Sequence, residues 1–436
     1  MGAAQALVMP SYAGLAIRDG PYNSTVVHPT NRRLTTKDNT FNSTFVTQSV
    51  QDAPAAPVTL ALSNNLNGAG QINAYITGTD PTSGQVIFIK ADGSVYQVPN
   101  PAQGEPTQQI DPASITIPLG AYGSVTNVVL SQYITSARVW FGVGDLWFGA
   151  NYGDAGPGIA APYVADPNDR SAGVNWGFAE FNWNAELFFA NISYVDFVGL
   201  LVSLILTEQS GTVTKALGAP ADGVNTVCQG LRTQHDTDGQ PWDQLCVNDA
   251  SGNLLRVISP AKLPSTDTGF ANYWSAYVDQ VYDSFASNPL TINTKTAAGD
   301  LTGTYNAGSG NLEFPGYSYA KPNAFDIWGC ADGPYFQPPD DTARALVASL
   351  CAAFQRTTYL INGGNVQPNG VTDMSQYYAA DPTNHYSKVV HAAEVDGRGY
   401  AFPYDDVVPD GGQDVAGTVA AADAQTLLLS VGAPPA

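Results

Sequence analysis

Two carboxylates stand in neighbouring strand-like runs. Glu180 lies in Trp176-Gly-Phe-Ala-Glu-Phe-Asn-Trp-Asn184 and Asp196 in Ile192-Ser-Tyr-Val-Asp-Phe-Val-Gly199, with fifteen residues between them. Alternation along a strand puts Phe178, Glu180, Asn182 and Asn184 on one face and Ala179, Phe181 and Trp183 on the other. In the second run Tyr194 and Asp196 share a face, while Val195 and Phe197 point inward. A hairpin centred near Phe188 would set the two acids opposite one another on an outer face. Such a pair, held among aromatics and amides, is what hydrolysis of a glycosidic bond requires.

Register decides the chemistry. Direct opposition brings Cβ atoms to ~4.5–5.5 Å. Inversion uses carboxyl groups roughly 6.5–9.5 Å apart to admit a water, and retention about 5 Å. Either way one acid must stay protonated near neutral pH, which demands burial beside apolar or like-charged groups. Glu180, flanked by Trp176, Phe178 and Trp183, is the better candidate for that role. Two acids in successive strands are also what a solvated sheet exterior shows, so the residues alone leave both readings open.

Other residues offer less. Tyr404, Asp405 and Asp406 follow Pro403 in a turn-like setting, where a turn or cap is the ordinary reading. Trp328 and Tyr335, in a loop rich in Gly and Pro, could stack on sugar rings or belong to the core. His235-Asp-Thr-Asp-Gly239 has the start of a calcium loop without its later ligands. The four histidines are scattered and form no zinc pattern, and no phosphate loop or nucleophile elbow is present. No metal or cofactor is expected.

The elements that must hold these residues are mostly strands. From Pro57 short alternating runs recur between turn signals: Val58–Leu62, Gln71–Ile76, Val86–Lys90, Val95–Val98, Ile115–Leu119, Ala137–Val143 and Leu146–Phe148. Tyr400–Phe402 and Thr426–Val431 return to β character near the end. Between them the spacing predicts a helix over Gly269–Ala286, a second one capped by Asp340 or Asp341, and strands at Leu301–Tyr305 and Asn311–Phe314. The organisation read from this is a polar extension over residues 1–52, a β domain from 53–207 and 385–436, and an inserted mixed α/β domain over 208–384. Two lobes built from one crossing chain leave a cleft between them.

Composition narrows the partners. Of 436 residues, 38 are acidic and 17 basic, a net charge of −21. Such a chain repels nucleic acid and anionic membranes, whereas a neutral polysaccharide meets no such penalty. The longest apolar run, Phe197–Leu206, is too short to span a bilayer. The four cysteines allow three connectivities, of which Cys228/Cys246 with Cys330/Cys351 closes two short loops. Sequons at Asn23, Asn42 and Asn191 point with the cysteines to secretion. Met1-Gly-Ala-Ala-Gln-Ala lacks the pattern of a signal peptide, so the sequence is expected to begin near a mature terminus.

Several of these segments together resemble glycoside hydrolase family 64, the endo-β-1,3-glucanases of the thaumatin-like superfamily. They are Val139-Trp-Phe-Gly-Val-Gly, the two acid-bearing runs, Asp326-Ile-Trp-Gly-Cys-Ala-Asp-Gly-Pro334 and Gly397-Arg-Gly-Tyr-Ala-Phe-Pro-Tyr-Asp-Asp406. The resemblance covers roughly residues 55 to 432. It implies a mainly β fold, with a thaumatin-like barrel or sandwich facing a mixed α/β domain across a wide groove. It also implies a β-1,3-glucan substrate (laminarin, curdlan or cell-wall glucan), inversion of configuration and release of short laminari-oligosaccharides. Glu180 then matches the general acid and Asp196 the general base. Asn182, Asn184, Ser193 and Tyr194 match sugar subsites, and Tyr404 and Asp405 become groove-lining candidates with Trp328. The sequence departs from the family at Asn182, where a hydroxyl is more usual, and at Leu201, where Pro often stands. A glycan on Asn191 would border the groove. A secreted, monomeric enzyme is the leading expectation, and a non-catalytic thaumatin-like glucan-binding protein is the alternative.

Overall fold

The computed structural model describes residues 56–263 and 269–435, together with the backbone of 26–27. The sequons at Asn23 and Asn42 and nearly all of the expected 1–52 extension lie outside the described residues. Within them, Val26–Val27 pairs antiparallel with Gly158–Ala160.

Most of the architecture is β. The largest sheet has eight strands, with Thr418–Ala421, Phe188–Ile192, Trp176–Trp183, Ile134–Val143, Ile72–Thr79, Val86–Ile89 and Val95–Gln97 in order along its main path. A second sheet of five runs Val213–Ala216, Val202–Glu208, Ala424–Gly432, Val58–Asn65 and Val125–Leu130. In it the C-terminal strand lies parallel to Val58–Asn65, with Leu60 level with Leu427 and Leu62 with Leu429. Their inward apolar positions join those of the first sheet in one core. Because Val213–Ala216 belongs to this second sheet, the β part runs past residue 207.

The segment from 223 to 393 adds helices and small sheets. Helix Asp341–Gln355 starts where expected, with the Asp340 carboxylate accepting from the Ala343 N–H. The helix expected over Gly269–Ala286 is shorter, Ser275–Ser284. Residues before it form turns closed by Tyr273 N–H to Phe270 and Ser275 N–H to Asn272, yet Phe270 and Trp274 still reach the core. The two disulfides join Cys228 to Cys246 and Cys330 to Cys351, the nearest-neighbour pairing. Among the described residues no helix is long and apolar enough to cross a membrane.

Three expected strands are not formed as read, each for a local reason. At Leu146–Phe148 the backbone donors go to side chains, Leu146 N–H to the Tyr75 hydroxyl and Trp147 N–H to Ser171 Oγ. At Tyr400–Phe402 only Tyr400 bridges, to Ser193, because the Ala401 N–H is taken by Asp405 Oδ2. Over Ile115–Leu119 a short helix, Pro112–Ile115, ends the run and only Ile117–Pro118 pairs.

Candidate active site

Five strands carry the site: β1 (Ile134–Val143), β2 (Trp176–Trp183), β3 (Phe188–Ile192), β4 (Phe197–Val198) and β5 (Leu254–Ile258). The β2–β3 register sets Glu180 opposite Asn191 and Trp183 opposite Phe188, so the hairpin turns earlier than Phe188. Direct opposition of Glu180 and Asp196 is therefore excluded. Nor does Asp196 lie in a strand. It sits in the bend between β3 and β4, and β4 has left the large sheet to pair with β5, Phe197 against Ile258.

That departure needs close backbone contact. The Leu200 N–H donates to the Trp176 carbonyl, and a Cβ on Gly177 would meet the Leu200 carbonyl oxygen at 2.0 Å. Only glycine permits this approach.

Glu180 is enclosed rather than presented on an open face, with 3% exposure. On β1 Arg138 stands directly opposite, and its Nε–H donates to Oε1 at 3.0 Å. The Arg138 guanidinium lies 4.5 Å from the Phe178 ring centre and 5.1 Å from that of Trp140. Side chains of Asn191 and Ser193 also hydrogen-bond to the Glu180 carboxyl. Burial first, and then the nearby Asp196 charge, hold that carboxyl well above the usual carboxylate range, against the hydrogen bonds from Asn191 and Ser193. The Arg138 cation, paired with Oε1, favours the ionised carboxyl by simple charge attraction. Burial brings Arg138 itself down to about 10, which leaves it charged at neutral pH.

Asp196 is more open, its side chain 17% exposed. Its carbonyl accepts from Ser259 N–H at 2.9 Å, and its carboxylate Oδ1 meets Lys262 Nζ at 2.8 Å. The arrangement combines a buried carboxyl that favours its protonated form with a more exposed carboxylate paired to a cation. One can give a proton and the other can take one.

The remaining sequence candidates have structural partners. Asn182 Oδ1 accepts from the Ser136 N–H at 2.6 Å, beside the register shift between Phe181 and Trp183. Asn184 Oδ1 accepts from the N–H groups of Glu186 and Leu187, so it builds the β2–β3 turn. The Tyr194 hydroxyl accepts from Ala219 N–H, and its carbonyl accepts from the Tyr386 hydroxyl. Ser193 is brought to Glu180, but the others do not share a cluster with the acids. Trp328 is buried among Trp242, Phe270, Tyr273 and Trp274, with ring centres 5.1–6.2 Å away. Tyr404 adopts φ 68° and is 9% exposed. Asp405 is fully buried, 2.9 Å from Arg356 Nη2 and 2.9 Å from His391 Nε2. Asn191 is 1% exposed in an interior strand of the large sheet, so its amide leaves no room for a glycan.

Sequence reasoning missed Arg138 and Lys262. Arg138 had a signal: it is a lone cation in the otherwise apolar half of β1, on the face of Trp140. Lys262 had none, because its contact depends on the β4–β5 pairing. Among the described residues no group of three or more His, Cys, Asp or Glu side chains could hold a metal ion.

A buried carboxyl near a more exposed carboxylate on a mainly β scaffold supplies the two groups that a carboxylate-pair glycosidase uses. The chain is a member of glycoside hydrolase family 64, the β-1,3-glucanases, whose family model matches residues 56–431. It is 25% identical over 260 residues to a glucan endo-1,3-β-glucosidase of Cellulosimicrobium cellulans, covering 57% of this chain and 44% of that protein. The same identity and coverage hold for a glucan endo-1,3-β-glucosidase of Arthrobacter sp. (strain YCWD3). The chain thus spans less than half the length of these two relatives. Among solved structures it resembles a laminaripentaose-producing β-1,3-glucanase in complex with laminaritetraose, with TM-score 0.73, 25% identity, and 86% of this chain and 98% of that one covered. A β-1,3-glucanase domain from Clostridium beijerinckii shares the fold at TM-score 0.68 and 24% identity, covering 88% of this chain and all of that one.

Proposed function

We propose that this chain is a secreted, inverting endo-β-1,3-glucanase in which Glu180 is the general acid and Asp196 the general base. The observation that carries the reading is the unlike environment of the two acids, one enclosed and pushed towards its protonated form, the other more exposed beside Lys262. Glu180 protonates the departing glycosidic oxygen as Asp196 takes a proton from water, whose oxygen attacks the anomeric carbon from the opposite ring face. Inversion is what the family resemblance implies, and Asn191, not Asp196, takes the position directly opposite Glu180. The products are short laminari-oligosaccharides with the α configuration at the new reducing end.

The fold is read as thaumatin-like, with a β domain (53–207 and 385–436, to which Val213–Ala216 adds a strand) and an inserted α/β domain from the rest of 208–384, flanking a wide glucan groove. Secretion is supported by the two disulfides, which persist in oxidising compartments. A monomer needs no further subunit, because both acids come from one chain. In the groove, Ser193 supports Glu180, and Asn182, Asn184 and Tyr194 serve the sugar site by fixing the strands around the acids.

Proton NMR of the first product from laminarin tests the reading. An initial α-anomer is the expected result, and an initial β-anomer would refute inversion. Glu180→Gln should stop release of reducing sugar from curdlan while glucan binding survives. Unchanged turnover by that variant would remove Glu180 from its role. The alternative, a glucan-binding protein without chemistry, predicts binding and no product from the unaltered chain.

A further inference from the structure

We propose that Lys262 is a positioning residue for the water-activating step: it fixes one oxygen of Asp196 and leaves the other to receive the proton of the attacking water. The inference rests on the assignment of Asp196 as the base.

The geometry is built from the backbone outward. β4 and β5 pair antiparallel, and immediately after β5 the Ser259 N–H donates to the carbonyl of Asp196 itself at 2.9 Å. Ser259 then caps a short 3-10 turn, Pro260–Lys262, with its Oγ accepting from Ala261 N–H and its carbonyl accepting from Lys262 N–H. Asp196 and Lys262 are therefore anchored to the same residue, Ser259, by main-chain hydrogen bonds. Their side chains meet at 2.8 Å, Nζ to Oδ1. The Lys262 side chain is 20% exposed and its ammonium stands 5.9 Å from the Tyr163 ring centre, so the contact is enclosed on that side. An ordinary surface pair lets both side chains wander and contributes little. Here the main chain at both ends is hydrogen-bonded to Ser259.

The chemistry follows. A carboxylate has two oxygens, and a base must offer a particular one to a water held in line with the anomeric carbon. With Oδ1 engaged by the ammonium, Oδ2 is the one left to accept. During the step the water oxygen bonds to the anomeric carbon, its proton passes to Oδ2, and the glycosidic bond breaks with the Glu180 proton on the leaving oxygen. Asp196 ends protonated and Glu180 ionised, and bulk water restores both. Glu180 faces Asp196 as the second acid of the site. Arg138 adds a second positive charge near Asp196, and the Tyr386 hydroxyl faces it as a neutral group. Burial works against the Lys262 charge, but Asp196 and the Tyr163 hydroxyl outweigh it and raise its pKa, so the cation persists through the working pH range.

Kinetics on laminarin test this in the full chain. Lys262→Met should lower kcat about 10–100-fold, as expected when a catalytic group is misplaced, with KM held within about 3-fold. Lys262→Arg, which keeps the charge, should restore only part of kcat, since the fork does not reproduce a single-point contact. An unchanged kcat in Lys262→Met, or a loss confined to KM, would overturn the inference. Should Lys262→Met fail to fold, Lys262→Arg decides it, and an unchanged kcat there overturns it. Asp196→Ala separates the two levels. If that variant is inactive and azide restores turnover as a β-glucan-derived α-azide, the base assignment stands, and an unaffected Lys262→Met then counts against Lys262 alone. If Asp196→Ala keeps normal activity, the base assignment falls first and the inference with it.

Discussion

Arg138 and Glu180 face one another across β1 and β2, Nε to Oε1 at 3.0 Å, in a pair where the carboxyl is 3% exposed. A buried cation so close pulls the acid towards ionisation, while burial and Asp196 pull it towards protonation. The balance sets where the proposed general acid loses its proton. Replacing Arg138 by Met removes the only one of these forces supplied by a positive charge on β1. The Glu180 pKa should then rise further, and the alkaline limb of kcat/KM should move to higher pH. A limb that moved down would show that Arg138 acts by another route. The kcat should also fall, since the carboxyl loses a hydrogen bond that orients it.

Trp328 supplies a test that separates a sugar platform from a core residue. Its ring is enclosed by four other aromatics, with Tyr273 stacked against it at an interplanar angle of 28°. Trp328→Ala should lower unfolding free energy by about 3–5 kcal/mol, the usual loss for a large aromatic core truncation. Denaturant unfolding measures it. If the variant stays folded at low temperature, its KM for laminarin should be close to the original. A large rise in KM with little loss of stability would restore the sugar-stacking reading.

How far the sequence reached is clearest in β2. Alternation assigned Phe181 and Trp183 to the core, where the structure has them, but it set Glu180 on an outer face, and the structure buries that residue. The same alternation could not supply register, because that is fixed by the turn. Asn184 tightens the turn by accepting from Glu186 and Leu187, and this sets Asn191, not Asp196, across from Glu180. Nor could period 2 reveal that the chain bends after β3, since Tyr194 to Phe197 alternates as well in a bend as in a strand. The partners Arg138 and Lys262 come from other strands and turns, and pairing between distant segments leaves no trace in local pattern. Asp405 followed the same course. A turn beside Pro403 was legible, whereas its burial against Arg356 and His391 was not.

Asn191 carries a sequon that the fold should leave unmodified. It pairs with Glu180 on one side and Thr418 on the other, in the interior of the large sheet. Its side chain hydrogen-bonds to the Glu180 carboxyl, so a glycan there would displace a partner of the proposed acid. Expressed in a glycosylating host, the chain should yield an unmodified peptide containing Asn191 by mass spectrometry. A glycan on that residue in active, folded protein would contradict the strand pairing. Asn191→Ala should also raise the alkaline limb of activity, in the same direction as Arg138→Met, because it too removes a hydrogen bond that favours the ionised carboxyl.

The buried network around His391 should make stability depend on pH, and the direction can be worked out group by group. His391 Nδ1 stands 3.0 Å from Glu394 Oε2, and Nε2 stands 2.9 Å from Asp405 Oδ2. Burial alone would lower the His391 pKa, but Asp405 and Glu394 outweigh it and push it from 6.5 up to about 10. A group raised on folding contributes its full stability below its unfolded pKa and loses it as pH rises through the folded one. For His391 that window runs from 6.5 to about 10. Burial also raises Glu394 to about 7 and Asp406 to about 8, and both lose their contribution in the same direction as pH rises. Asp405 behaves oppositely. Burial would raise it, but His391 and Arg356 outweigh burial and lower it, so its contribution disappears as pH falls below the usual 3.8. Tm should therefore decline from about pH 4.5 to about pH 10, with Glu394 and Asp406 carrying the lower part, up to about 7 and about 8, and His391 the part from 6.5 to about 10. His391→Gln should cost about 3–5 kcal/mol at neutral pH, as breaking a buried ion pair does. The same variant should flatten the upper half of the decline, because the group that loses its proton there is gone. Calorimetry of both proteins across this range decides the matter, and an equal slope in the two would remove His391 as its source.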